Sequence, residues 1–311
     1  MKFKKPNFWD YQQISFWAIL LLPISILYLA TTKIIRIFSF FKNYRKLPIR
    51  IICVGNVYLG GTGKTPLARE IFKITKNFGK NPAFIKKYYD YLFDEIEMLK
   101  NTGKIYTCHK RQKGLDLCSL DNHDIAILDD GFQDTSIRPH FSILCFNSKQ
   151  MVGNGLVIPS GPLRESLDSI LRANCIIING NKNFEFEKKL LKKIGNKKIP
   201  IFYAKYKIKN IEKFKNKEIT AFAGIGNPSN FFSLLRENNL NIKETYSFPD
   251  HHNYSKEDFD KITKNKSNII ATTEKDYYRI TDNQKKNCHY VEADYEIENI
   301  EKFKEIINSK L

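Results

Sequence analysis

The sequence predicts an α/β protein: a mostly parallel, doubly wound sheet domain, a second and smaller α/β domain, and an apolar N-terminal helix. Three observations carry that prediction. Short apolar runs alternate with helical stretches through the first half of the chain, the pattern of parallel strands joined by helical crossovers. One such run, Ile49–Gly55, leads into Gly60-Gly61-Thr62-Gly63-Lys64-Thr65. And Ile14–Thr32 holds no charged residue at all.

The strand reads Ile49-Arg50-Ile51-Ile52-Cys53-Val54-Gly55, and Pro66 opens a helix just after the glycine-rich turn. Proline is tolerated in a helix's first turn, where its missing N–H would be unpaired anyway. Strand, glycines, Gly-Lys-Thr and helix together have the layout of a phosphate-binding loop, which makes the first domain P-loop NTPase-like. The glycines let backbone N–H groups converge on an anion, and the helix N-terminus adds partial positive charge. Tyr58, Leu59, Gly60, Gly61, Thr62, Gly63, Lys64 and Thr65 are the candidate nucleotide-binding residues. Lys64 would reach the β- and γ-phosphates and the Thr65 hydroxyl would bind Mg²⁺. One position departs from the usual pattern: Tyr58 stands where a glycine is expected.

Further elements follow in order. Pro66–Gly79 reads as a helix stopped by glycine. Asn81–Lys86 and Ile105–Cys108 are short strands, with Asp94 and Glu95 in the amphipathic stretch between them. Ile125–Leu128 is a buried strand that ends at Asp129-Asp130-Gly131. Phe141–Phe146 and Ala173–Asn179 are strands on either side of a Gly/Pro-rich loop, Gly153–Glu165. Composition turns polar and lysine-rich over Asn181–Lys198, which sets a domain boundary near residue 200. Beyond it Glu218–Ala223 and Ile269–Thr272 read as strands. Asn230–Asn238 and Ser255–Lys264 read as helices, the latter capped by Ser255 with Asp258 three residues on. The expected organisation is an N-terminal helix over 1–43, a P-loop domain over 44–200, and a smaller C-terminal domain over 201–311 closing over the site.

The formal net charge is +18. Such a charge suits nucleic acid, an anionic membrane or a phosphorylated substrate. Many of the lysines sit on what read as solvated helix faces, and no nucleic-acid motif accompanies them. The six cysteines include no Cys-x-x-Cys pair, which fits a reducing, cytosol-facing protein without structural zinc. The apolar stretch Ile14–Thr32 is flanked by Lys2, Lys4 and Lys5 before it and Lys33, Arg36, Lys42, Arg45 and Lys46 after it. It approaches the ~20 residues that cross a hydrocarbon core, and Pro23 could kink it. An export signal is disfavoured, because a triphosphate site needs cytosolic ATP. Whether the helix spans or lies in the interface stays open; basic flanks on both sides suit an anionic inner leaflet.

Asp129 and Asp130 follow a buried strand and so reach the edge of the sheet where ligands of open α/β sheets bind. One of them would hold Mg²⁺, directly or through water. Transfer to a hydroxyl also needs a group that takes or orients a proton. Asp94, Glu95, His251 and His252 are the candidates.

The chain resembles the tetraacyldisaccharide 4′-kinase family of lipid A biosynthesis. The resemblance rests on Val54-Gly55-Asn56 with Gly60–Pro66, Leu128–Gln133, Gly153-Asn154-Gly155 with Pro159–Glu165, Ala221–Pro228, Phe248-Pro249-Asp250-His251-His252 and Thr272–Asp276. With the apolar N-terminus, these blocks run nearly the whole chain in family order. The resemblance implies ATP- and Mg²⁺-dependent transfer of the γ-phosphate to the 4′-hydroxyl of an acylated disaccharide 1-phosphate. It also implies the cytosolic face of the inner membrane of a Gram-negative-type cell, with an anionic membrane surface and the lipid as partners, and no nucleic acid. By motif, Asp94 matches the family's catalytic acid, His251 its partner, and Lys64 the phosphate lysine. Thr65, Asp129 and Asp130 match the nucleotide-metal site, and Glu165 a carboxylate near the phosphates. The family usually carries an Arg-Gly-Tyr-Gly-Arg-like segment and a longer insert before its acids; here Lys86-Lys87-Tyr88-Tyr89 runs almost directly into Leu92-Phe93-Asp94-Glu95-Ile96. A competing class is the membrane-attached P-loop ATPase of the positioning and partitioning type. Those proteins carry a lysine before the paired glycines, where this chain has Leu59.

Overall fold

The computed structural model describes residues 5–11, 13–265 and 268–311. Lys2 and Lys4 of the basic flank lie outside the described residues. The chain divides into two compact units: the first holds residues up to Tyr88, Thr102–Lys205 and Ile297–Leu311, the second Tyr89–Asn101 and Tyr206–Glu296.

Among the described residues twelve strands are formed: β1 Arg50–Gly55, β2 Pro82–Lys87, β3 Ile105–Cys108, β4 Ile125–Asp129, β5 Phe141–Asn147, β6 Cys175–Asn179, β7 Ile201–Ile208, β8 Glu218–Ala223, β9 Asn241–Ser247, β10 Ile269–Thr273, β11 Cys288–Val291 and β12 Ala293–Ile297. One sheet has the order β12-β7-β6-β5-β1-β4-β2-β3. From β1 to β7 every pairing is parallel. Strands covered on both faces read as unbroken apolar runs, and β4, β5 and β6 are buried along their whole length. Their side chains pack with Ile51, Cys53, Leu115, Phe186 and Leu190 into the core of the first unit. β1 sits between β4 and β5, so the order of strands reverses beside it. That switch point is where open α/β sheets bind ligands.

Within the second unit, β11-β10-β8-β9 form a parallel sheet. One face is packed by Phe214, Phe231, Phe232 and Leu235. On the other, Phe222, Tyr254, Phe259 and Ile262 pack together. The helix Lys256–Ile262 begins with the expected capping box between Ser255 and Asp258.

The N-terminal apolar stretch is two helices rather than one. Phe16–Leu20 ends at Leu21, and a second helix, Leu22–Phe40, starts with Pro23 in its first turn. Pro23 has no N–H to give a preceding carbonyl and its ring crowds the turn before it, so the chain restarts there instead of bending. The second helix also continues past Thr32, through Lys33 and Arg36. One face of it, at helical spacing, meets the first unit. The Ser25 hydroxyl donates to the Val157 carbonyl at 3.0 Å, Tyr28 to that of Arg164 at 2.7 Å, and Arg36 pairs with Glu165 at 3.4 Å. The other faces expose Ile24, Leu27, Ile34, Ile37, Phe38 and Phe40.

Candidate active site

The glycine-rich turn leaves β1 at Gly55, and the helix Lys64–Asn77 begins inside it. Asn56 organises the turn: its side-chain amide donates to the Tyr58 carbonyl at 2.6 Å, the Gly60 carbonyl at 3.2 Å and the Thr62 hydroxyl at 2.9 Å. Gln133 donates to the Asn56 carbonyl at 2.7 Å. The Asn179 amide, at the end of β6, donates to the Thr62 carbonyl. The Pro-rich loop braces the turn from outside, with Leu59 N–H donating to the Pro162 carbonyl at 2.8 Å and Arg164 N–H to that of Val57 at 2.7 Å. Tyr58, the departure from pattern, is fully buried; its hydroxyl bonds Asp10 and receives the Lys5 ammonium at 3.0 Å.

Gly63 takes φ +85°, and a Cβ there would lie 2.5 Å from the Asn179 amide nitrogen. A left-handed backbone costs an L-residue about 1–2 kcal/mol even without a clash. Gly63→Ala is therefore expected to weaken ATP-analogue binding about tenfold, since ~1.4 kcal/mol is one decade. Equilibrium titration checks this; unchanged affinity would show that the turn tolerates a side chain.

The two adjacent aspartates play unlike parts. Register puts Val54, Asp129 and Lys86 side by side across β1, β4 and β2. Asp129 is buried; its Oδ2 receives the Lys86 ammonium at 2.5 Å and the Thr65 hydroxyl at 3.0 Å. Its Oδ1 is buried without a partner. Asp130 is turned by a left-handed backbone, φ +58°. Its carboxylate receives Arg164 at 2.8 Å and lies 3.9 Å from the Lys64 ammonium. Burial alone would raise its pKa, but Lys64, Arg164 and Lys86 together hold it down at about 2. Arg111 fixes the turn by donating to the Asp130 carbonyl at 2.6 Å and pairing with Asp134 at 2.9 Å. Glu165 is not brought into this group: it pairs with Arg36 at 3.4 Å and Arg172 at 2.8 Å. The residue before it, Arg164, is the one that enters.

The orphaned Asp129 oxygen beside the Thr65 hydroxyl is a donor set of hard oxygens. It fits Mg²⁺, which binds one or two carboxylates and takes its remaining ligands from phosphates and water.

Asp94 and His251 meet within the second unit. Asp94 opens the helix Phe93–Lys100 and is wholly buried. His251 Nδ1 lies 3.2 Å from its Oδ2, Arg279 Nε donates to the same oxygen at 2.6 Å, and Glu95 N–H donates to Oδ1 at 2.8 Å. Burial would raise the Asp94 pKa, but the bonds from His251 and Arg279, with the charge of Lys275, outweigh it and hold the carboxyl below its ordinary value. Lys275 stands on the far side of the imidazole, 3.2 Å from Nε2, and pairs with Glu95 at 3.1 Å and Asp250 at 3.0 Å. His252, the other member of the pair, faces elsewhere: its Nε2 meets Asp258 at 2.9 Å and its ring stacks on Phe248. Sequence reasoning singled out neither Arg279 nor Lys86. Each lies at the end of a strand or short helix, where a lone basic residue ordinarily faces solvent.

A parallel sheet with a glycine-rich turn after β1, Lys64 in that turn and paired aspartates beside it defines a P-loop protein of the kind that handles nucleoside triphosphates. The model of the tetraacyldisaccharide-1-P 4′-kinase family matches residues 17–311. A tetraacyldisaccharide 4′-kinase of Pelagibacter ubique is 40% identical over 302 residues, covering 96% of this chain and 95% of that one. One from Rickettsia canadensis is 32% identical over 310 residues, covering 91% and 90%. The crystal structure of the Aquifex aeolicus protein LpxK, described as in complex with ATP, superposes with a TM-score of 0.75 at 24% identity, covering 94% of this chain and 99% of that one. The chain belongs to this family, the ATP-dependent 4′-kinases of lipid A biosynthesis.

Proposed function

We propose that the chain transfers the γ-phosphate of ATP to the 4′-hydroxyl of a tetraacyldisaccharide 1-phosphate, giving the 1,4′-bisphosphate. The observation that carries this reading beyond nucleotide hydrolysis is the buried Asp94–His251 pair, 3.2 Å apart. An ATPase has to position only a water; transfer to an alcohol needs a group that accepts the hydroxyl proton. Asp94 is that acceptor and His251 orients it. Lys64 and the N–H groups of Gly60–Thr65 hold the triphosphate and offset the charge that develops on it. Thr65, Asp129 and Asp130 are the residues that would hold Mg²⁺, with Glu165 outside that group. Bound there, the ion would neutralise phosphate charge and orient the γ-phosphoryl group.

The test is γ-labelled ATP with the disaccharide 1-phosphate lipid in mixed micelles. Label in the lipid supports the reading; label released only as free phosphate overturns it and favours the partitioning-type ATPase.

The helix Leu22–Phe40 would lie in the membrane interface on the cytosolic side rather than span. Bonds from Ser25, Tyr28 and Arg36 tie one face to the first unit, so lipid cannot surround it; the remaining apolar faces would enter the acyl boundary. Lys33 and neighbouring basic residues suit an anionic surface. Replacing exposed Leu27 and Phe38 by aspartate should weaken co-sedimentation with anionic vesicles at least about tenfold, each side chain contributing roughly 1.5–3 kcal/mol when buried. ATP affinity should hold, because neither residue touches the nucleotide turn. Unchanged sedimentation would count against the interface role.

A further inference from the structure

We infer that Arg279 is a positioning residue that locks Asp94 and His251 into their working geometry. This rests on the reading of Asp94 as the proton acceptor.

The guanidinium is a rigid planar fork with five donors, and here the fork is spread over the two segments that carry the pair. Nε donates to Asp94 Oδ2 at 2.6 Å. One terminal nitrogen donates to the His251 carbonyl at 3.2 Å and to Asn253 Oδ1 at 3.3 Å. The other donates to the Tyr91 carbonyl and lies 2.9 Å from His251 Nδ1. The Phe93 ring packs against the guanidinium face, 4.7 Å from its centre. Arg279 is itself set by a turn, its N–H donating to the Asp276 carbonyl at 2.8 Å. The side chain is only 2% exposed, so this is not a surface ion pair that water can replace.

Two features make that contact more than packing. His251 holds a left-handed backbone, φ +57°, a conformation that costs a non-glycine residue of order 1–3 kcal/mol and persists only where its surroundings fix it. The His251 N–H donates to the Gly224 carbonyl at 3.1 Å, and Arg279 takes the His251 carbonyl, so the strained residue is held at both ends. Second, Asp94 is wholly buried, and Arg279 is a full positive charge bonded directly to it. The charged groups facing Asp94 are Glu95 on its own helix, Asp250 and His251 on the loop after β9, and Lys275 and Arg279 after β10. Burial opposes its ionisation, and the bonds from His251 and Arg279 with the charge of Lys275 outweigh it.

Charge and geometry separate experimentally. Arg279→Gln removes both. Its turnover should fall about 100-fold, the scale of a misplaced reacting group. KM for ATP should stay within about twofold, because the loss is of a transition-state interaction. The acid limb of the pH–kcat profile should move to higher pH, since Asp94 loses a partner that favours its charged form. Arg279→Lys keeps the charge and loses the fork; it should leave the acid limb near wild type with intermediate kcat. Asp94→Asn with Arg279→Gln should be no slower than Asp94→Asn alone, because both act through one carboxylate. Thermal unfolding and ATP titration of each variant confirm that it is folded. A folded Arg279→Gln with wild-type kcat and pH profile overturns the proposal; should that variant not fold, Arg279→Lys with wild-type kcat overturns it. An active Asp94→Asn instead overturns the reading beneath it, whatever Arg279 does.

Discussion

Asp94→Asn should lower turnover about 10³-fold, within the ~10²–10⁴ that a positioned general base supplies, while KM for ATP should stay near wild type. The substitution preserves volume and leaves Lys64, Thr65 and Asp129 untouched, so nucleotide binding should survive. It removes the buried carboxylate that faces His251, at 3.2 Å. The cost to stability is separate. Arg279 would keep its charge without a carboxylate 2.6 Å away, and breaking a buried pair from one side costs roughly 3–5 kcal/mol. The sign of the pH dependence follows from the lowered pKa of Asp94. A carboxyl depressed on folding stabilises above its unfolded pKa, about 3.9, and that contribution is lost as pH falls through the folded value. Wild type should therefore lose stability on acidification more steeply than Asp94→Asn. Steady-state kinetics with labelled ATP and unfolding against pH measure the two effects independently. Near-normal turnover in a folded Asp94→Asn would remove Asp94 from the chemistry.

What the residues disclosed in advance depended on how local the chemistry is. The nucleotide turn was legible because its geometry is set by consecutive residues: β1 is an unbroken apolar run, Gly63 supplies the left-handed φ, and Lys64 and Thr65 start the helix. Asp129 and Asp130 were legible because the unbroken apolar run of β4 ends at them. Their division of labour was not, since Lys86 and Arg164 come from a neighbouring strand and a distant loop. The same limit hides Arg279, 185 residues from Asp94. The helix Phe93–Lys100 shows the limit most clearly. It lies between β2 and β3, which pair in parallel through Phe84 and Ile105. A crossover of that kind ordinarily packs back on its own sheet, yet Tyr89–Asn101 belongs with the second unit. That placement is what brings Asp94 to His251. No local periodicity encodes it, because the determining contacts are ion pairs and hydrogen bonds to residues beyond position 250.

Lys64→Ala should reduce the single-turnover rate about 10²–10³-fold, the usual loss when one preorganised donor to a developing charge is removed, and weaken ATP binding by less. The ammonium stands at the first residue of the helix that follows the turn, on the side where the backbone N–H groups would gather phosphate charge. Among the described residues its charged contact is Asp130, at 3.9 Å, longer than the 2.8 Å from Arg164 to the same carboxylate. Arg164 therefore keeps Asp130 paired when Lys64 is lost. Lys64 is correspondingly free to exchange a loose ion pair for a phosphate oxygen, which the Arg164 guanidinium can do only by releasing Asp130. Losing Lys64 also removes the largest of the influences that hold Asp130 at about 2, so that carboxyl should titrate higher in Lys64→Ala. Affinity and rate separate the two roles. If Lys64 acted only as a tether, Kd would rise and the rate at saturating ATP would be wild type. If it stabilises the transferring phosphoryl group, the rate falls even at saturation, and Lys64→Arg restores little of it, because a planar guanidinium does not fit where a point charge sits. Fluorescent-nucleotide titration and rapid-quench turnover on the same samples decide between them.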